Sequence, residues 1–148
     1  MKNLNIEKSS QLAEIEISYK SKVKPSERTK IKDSKQCYEI FKTLFNPDTI
    51  EHVESAVILL LNRANAVLGW CKISMGGLAG TVVDKKIIFQ LALNANASAF
   101  ILCHNHCSGN LTPSKSDETI TANLDLKILD HLIITSESYF SFADDGRI

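Results

Sequence analysis

The stretch SAFILCHNHCSGNLTPSKSD, Ser98 through Asp117, decides how this chain is read. Ser98 to Cys103 is an apolar run of strand length, suited to a position buried on both faces, and it delivers the chain directly into His104. Two histidines one residue apart project to the same side of an extended backbone, so the imidazoles of His104 and His106 can reach a single ion. The polar loop that follows, with Ser108, Gly109, Asn110 and Pro113, has the composition of a segment that folds back. Ser114 then opens a short helix, and Asp117 lies one turn inside it. Two neutral imidazoles and a carboxylate form a three-ligand zinc set that leaves a fourth position for water, the pattern of a catalytic site. Water held there has its pKa brought down to about 7.

Each of these residues also has a plainer reading. Ser114-x-x-Asp117 after Pro113 has the form of a capping box, common at helix starts without any metal; the two roles are compatible. His104 and His106, taken alone, suit hydrogen-bonded loop histidines. The common spacing of all three favours the metal.

A zinc site of this kind needs a proton carrier. Val53 to Leu61 is a second, nearly unbroken apolar run, and its one charge is Glu54. A carboxylate in such a strand is costly to bury unless a neighbouring cation compensates it. Glu54 is therefore the candidate general base, later general acid, with Glu51 as the weaker alternative just ahead of the run. Ser114 can donate a hydrogen bond to a developing oxyanion.

Further out, Asn62 to Asn65 turns the chain and Ala66 to Ile73 reads as the second strand of a hairpin. Gly76, Gly77 and Gly80 mark a connection, and Asp84 is a plausible N-cap for a helix with Ile87, Ile88, Leu91, Ala92 and Ala95 on its buried face. Asp125 to Thr135 and Tyr139 to Phe142 read as the last two strands. Upstream, Ser34 is placed to cap a helix reaching Phe45, with Tyr38, Ile40, Phe41 and Leu44 inward, and Asn46-Pro47-Asp48 ends it. Leu12 to Tyr19 alternates as a half-exposed strand, with Glu14 and Glu16 on its polar side. Trp70 and the phenylalanines are expected in the core, and His131 as a packed histidine or one standing behind the metal ligands. Strands and helices alternating in this way predict a mixed sheet flanked by helices in a single domain over 12–148, after a flexible N-terminus over 1–11.

Seventeen Lys and Arg balance seventeen Asp and Glu among 148 residues, so the overall charge selects neither nucleic acid nor an acidic substrate. The balance is uneven: Lys20, Lys22, Lys24, Arg28, Lys30, Lys32 and Lys35 face only Glu27 and Asp33 in the same stretch. Such a stretch could contact phosphates, but it also reads as a solvated, loosely ordered connector. The longest apolar run, Ala56 to Leu61, is far short of the ~20 residues that cross a bilayer. The start, Met1-Lys2-Asn3-Leu4-Asn5, has no apolar core of an export signal. Cys37, Cys71, Cys103 and Cys107 contain no CxxC pair. A soluble, cytoplasmic protein with free thiols and no membrane partner is expected.

The order Glu54, then His104-x-His106, seven residues, Ser114, two residues, Asp117 resembles the JAMM signature of the MPN-type metallohydrolases. The flanking residues narrow the likeness: Ser108-Gly109-Asn110, Pro113-Ser114, Leu129-Asp130-His131-Leu132-Ile133-Ile134 and Tyr139-Phe140-Ser141-Phe142-Ala143 resemble the RadC-like family of bacterial JAMM proteins, from about Glu14 to the C-terminus. That resemblance implies a three-layer α/β/α, cytidine-deaminase-like fold. It also implies Zn2+ on His104, His106 and Asp117, with Glu54 and Ser114 catalytic. Relatives with this site in eukaryotes and archaea are isopeptidases that remove ubiquitin-like modifiers, whereas the RadC-like proteins carry a traditional DNA-repair label. The resemblance therefore implies zinc-dependent amide hydrolysis of a peptide or isopeptide substrate. The alternatives are a DNA-repair or mobile-element module that binds or processes nucleic acid, and a scaffold whose metal site has lost turnover. The chain departs from the family pattern in two places. Cys107 stands where Pro is usual, as a potential extra ligand or redox-sensitive thiol, and the helix after Ser114 is about seven residues shorter. The H-x-E…P-C-x-x-C arrangement of the zinc deaminases is absent.

Overall fold

Ser55–Leu61 (β1) and Ala99–Asn105 (β3) are buried at every position, as their unbroken apolar runs require. They pair antiparallel at the centre of a sheet in a computed structural model that describes residues 13, 16, 18, 21–76, 83–122 and 126–148. Val67–Met75 (β2) lies antiparallel outside β1, Ile128–Ile134 (β4) runs parallel beside β3, and Tyr139–Ser141 (β5) lies antiparallel outside β4. The order β2-β1-β3-β4-β5 is thus a mixed sheet.

The period-two alternation of side chains assigns each strand residue to one of two cores. Val57, Leu59, Leu61, Ile101, Cys103, Leu132 and Ile134 face Cys37, Tyr38 and Phe41 of Ser34–Leu44 (α1). Ala56, Ile58, Leu60, Phe100 and Leu102 face Ile88 and Ala92 of Lys85–Asn94 (α2), with Ile120 of Lys115–Ala122 (α3) packed at the border. Helices therefore cover both faces, and the expected three-layer α/β/α arrangement is what the described residues form. His104 belongs to the same alternating set as Phe100 and Leu102, so it emerges on the α2–α3 side.

Local chemistry sets the ends of these elements. Asn62 accepts hydrogen bonds through Oδ1 from Ala64 N and Ala66 N, at 2.9 and 3.0 Å. Asn65 takes a left-handed conformation (φ 55°), and together they close the β1–β2 turn. Asp84 caps α2 by accepting from Lys86 N at 2.9 Å, as expected. Asn96 (φ 51°) closes the far end, where asparagine tolerates the left-handed region.

The fold corrects several readings. Asp33, not Ser34, caps α1: it lies in extended backbone and its carboxylate accepts from Gln36 N at 2.7 Å. Ser34 is the first helical residue, and its hydroxyl turns to Tyr139 and Asp144. The turn begun at Thr49 runs on to Val53, so β1 starts at Ser55. The strand read from Asp125 starts at Ile128. Trp70 is not core: it is 54% exposed on β2, the edge strand of the described sheet, outside both clusters. The basic stretch is not wholly loose, because Val67 N donates to Thr29 O and Ile31 N to Asn65 O, both at 2.9 Å. The strand expected over Leu12–Tyr19 falls almost wholly outside the described residues. Among those described, no helix is long and apolar enough to cross a membrane.

Asp130 is a polar fixture of the α1-side core. It is 5% exposed, and its carboxylate accepts from His131 N (2.7 Å), Ser141 Oγ (2.7 Å) and Ala143 N (3.0 Å). Burial raises its pKa and these donors oppose the rise. Asp130→Ala strands three donors beneath the end of β5, and a buried donor without a partner costs about 1–3 kcal/mol. We expect urea denaturation of Asp130→Ala to show a loss of about 2–3 kcal/mol with an unchanged m-value.

Candidate metal centre

His104 stands near the end of β3 and His106 just beyond it, where the strand leaves the sheet. Their Nε2 atoms lie 3.0 Å apart. Asp117 is the third residue of α3 and brings Oδ1 to 3.2 Å from His104 Nε2 and Oδ2 to 3.7 Å from His106 Nε2. Among the described residues, this is the one group of three or more potential ligands whose donor atoms converge. In a tetrahedral shell with Zn–N and Zn–O distances of about 2.0–2.1 Å, neighbouring ligand atoms stand about 3.3 Å apart. The three separations bracket that value.

The outer hydrogen bonds fix which ring nitrogens carry protons. Thr121 Oγ1 donates to the Asp117 backbone carbonyl at 2.6 Å. Its hydroxyl proton is thereby used, so the 2.6 Å contact between Thr121 Oγ1 and His131 Nδ1 is a bond donated by the imidazole. Burial drops the pKa of His131 to about 3, so this ring is neutral and its Nε2 has only a lone pair. His104 Nδ1, 2.9 Å away, must then donate to it. The remaining nitrogen of His104, Nε2, faces the cluster as an acceptor. His106 reaches the same state by a shorter route, donating from Nδ1 to Asn110 O at 2.6 Å. Gly109 (φ 76°) makes the turn that brings that carbonyl back.

In their neutral forms, therefore, His104 and His106 direct two lone pairs at the point where the Asp117 carboxylate also converges, an arrangement with no donor among the three. Such a cluster demands positive charge. Without an ion a proton answers that demand: His106 titrates above its ordinary value, chiefly through the hydrogen bond its protonated ring donates to Asp117. Asp117 lies well below the carboxylate range: burial alone would raise it, but hydrogen bonds from the protonated rings of His104 and His106 outweigh that. A bound cation satisfies all three atoms at once, so the residue set fits Zn2+.

The structure brings the other sequence-marked residues near in different ways. Ser114 caps α3: its Oγ accepts from Asp117 N at 3.2 Å, and its own N donates to Asp117 Oδ2 at 2.7 Å. This reciprocal box also orients the Asp117 carboxylate. Glu54 is half-buried immediately before β1. Glu54 lies two residues before Ala56, the residue paired with His104, so the alternation of an extended backbone carries it toward the same face. Its charge reaches the site, adding to the upward shifts of His106 and, after burial, of Cys107. Glu51 is exposed and accepts from Ser136 Oγ at 2.5 Å. Cys107 is outside the converging donor set. Burial pushes Cys37 up to about 12 and raises Cys103 as well, so neither is a thiolate nucleophile.

Two contributors were not assigned from the sequence, Thr121 and Asn105, and for a third, His131, the sequence leaves packing and a place behind the ligands both open. Thr121 has a detectable signal, four residues beyond Asp117 on one helix face. Asn105, the residue between the histidines, points to the opposite side and is 0% exposed. Its Oδ1 accepts from Ser55 N at 2.8 Å, and its Nδ2 donates to Ile50 O at 2.6 Å and Val53 O at 3.0 Å, so it pins both sides of Glu54. His131 is indeed packed, with its ring stacked on Phe142 at 4.8 Å, but it also stands directly behind His104. Losing an outer partner of a ligand histidine typically costs about 10–100-fold in metal affinity. Thr121→Val removes the acceptor that sets the His131 tautomer, and we expect zinc affinity to fall about tenfold in competition with a chromophoric chelator.

Comparison with known proteins gives a consistent picture. A family model described as the RadC-like JAB domain matches residues 31–147. A UPF0758 protein of Flavobacterium johnsoniae is 44% identical over 124 residues, covering 79% of this chain and 53% of the relative. UPF0758 protein FN0909 of Fusobacterium nucleatum is 36% identical over 116 residues, covering 74% and 50%. UPF0758 protein YfjY of Escherichia coli is 37% identical over 102 residues, covering 64% of each. The chain spans about half to two thirds of the length of these relatives, and their names state no reaction.

Proposed function

The chain belongs to the RadC-like JAB domain family, and from that footing we propose that it is a zinc-dependent metallohydrolase that cleaves an amide bond in a peptide or isopeptide. The observation that carries this reading is the convergence of His104 Nε2, His106 Nε2 and the Asp117 carboxylate where a β-strand meets a helix start. Zinc bound there supplies Lewis acidity, polarising an amide carbonyl and bringing the pKa of water to about 7.

The chain's own groups supply the rest. Glu54, whose neighbours Val53 and Ser55 are held by Asn105, takes the proton from the attacking water and returns it to the leaving amine. The Ser114 hydroxyl, at the mouth of α3, donates to the oxyanion as the carbonyl carbon becomes tetrahedral. His131 and Thr121 keep the His104 lone pair directed at the cation.

The test is elemental analysis of the purified chain, followed by assay against fluorogenic peptide and isopeptide libraries. We expect one zinc per chain, and cleavage that a chelator abolishes and added zinc restores. A chain that takes up no zinc, or cleavage indifferent to the chelator, would rule the reading out.

A further inference from the structure

A cavity of about 190 Å³ lies against one side of the metal centre, between α3 and the start of α2, with the sheet as its floor. His104 and Asp117 form its inner wall, and His106 is not among its lining residues. It therefore opens to the α2 side of the three converging atoms. Val83 and Ile120 supply its apolar surface above the fully buried Leu102, and Lys85, Ser116 and Thr119 lie at its polar side. Val83 and Ile120 are only partly buried, so their apolar faces remain available. No Phe, Tyr or Trp lines it among the described residues, so it offers no stacking platform for a base. Its size is also informative. Drug-sized ligands occupy about 300–1,000 Å³, whereas a dry apolar cavity of about 150 Å³ holds one benzene.

We propose that this cavity is the specificity subsite of the hydrolase, taking the single aliphatic side chain, of leucine size, that flanks the scissile amide. The proposal rests on the metallohydrolase reading above and adds the substrate's chemical class. An amide whose carbonyl is directed at the converging His104, His106 and Asp117 atoms has a side chain within one or two bonds of the reacting carbon. The half-open cavity with an apolar patch that borders His104 and Asp117 is this one. A buried methylene is worth about fourfold in affinity, so a side chain seated here selects its substrate strongly.

Alkyl hydroxamates, which chelate zinc through one head group and vary only in the tail, test this on the zinc-loaded full chain by titration calorimetry. The readout is the ratio of affinities for 4-methylpentanohydroxamate and acetohydroxamate, which needs no turnover. We expect a ratio of at least about 20 in the native chain, from burial of most of the added carbons. In Val83→Trp, which fills the cavity, the ratio should collapse towards one. Val83→Ala, which enlarges the cavity, guards against misfolding of the bulky variant and should shift preference to 3-phenylpropanohydroxamate. A native ratio near one, or a ratio that survives Val83→Trp, overturns the subsite alone. Failure of acetohydroxamate itself to bind the zinc-loaded chain overturns the metallohydrolase reading and the subsite with it.

Discussion

His104→Ala is expected to abolish zinc binding while the chain still folds, and two distinct measurements separate those effects. Removing the ring takes away one of three ligand atoms, so the loss of metal affinity should exceed the roughly 10–100-fold attached to an outer partner. In the metal-free protein the variant also strands His131 Nε2, which is deeply buried and has lost its donor. That costs about 1–3 kcal/mol. The repulsion between facing acceptors is relieved at the same time, so the metal-free variant should stay within the native range. Zinc added to the native chain raises its stability by mass action, about 2.7 kcal/mol at a hundredfold excess over Kd. In His104→Ala the same addition should leave the thermal midpoint where it was. A variant that still gains stability from stoichiometric zinc would show that the ion sits elsewhere, and the ligand assignment would fail.

The parts of this site that could be read from the sequence are those set by local spacing. His104 and His106 share a side because alternation in extended backbone is obligatory, and the buried run ahead of them locates the strand. Ser114 and Asp117 are related by helix geometry, and the capping bonds follow from that spacing alone. What stayed hidden or undecided depends on pairing across the sheet. His131 stands behind His104 only because β4 runs parallel to β3 with Leu102 opposite His131, a register no local pattern specifies. Asn105 looked like a spacer, since its partners at Ile50, Val53 and Ser55 lie some fifty positions away. Trp70 was misplaced for a related reason: its hydrophobicity says core, but its strand lies at the described sheet edge, where there is less to bury it. Asp33 took the cap from Ser34 by one position, a choice between two good capping residues that backbone conformation settles.

Glu54→Gln should separate chemistry from metal binding. Glutamine keeps the size and hydrogen-bonding reach of glutamate but cannot take up a proton, so a general base at this position is disabled without displacing its surroundings. The zinc content should be unchanged, because Glu54 is not among the converging donor atoms. The hydrolytic rate constant should fall by about 10²–10⁴-fold, the usual contribution of a positioned proton carrier. Glu51→Gln provides the internal control. Glu51 is exposed and held by Ser136 on the far side of the turn, so its loss should leave the rate within about twofold, as surface substitutions away from special features do. The contrast matters because Glu51 lies in the turn and Glu54 directly after it, and both adjoin backbone that Asn105 holds. If Glu51→Gln proved the damaging change and Glu54→Gln the silent one, the proton carrier would lie on the solvent side of the turn. The place of Glu54 ahead of β1, with its charge reaching His106, would then have no catalytic meaning.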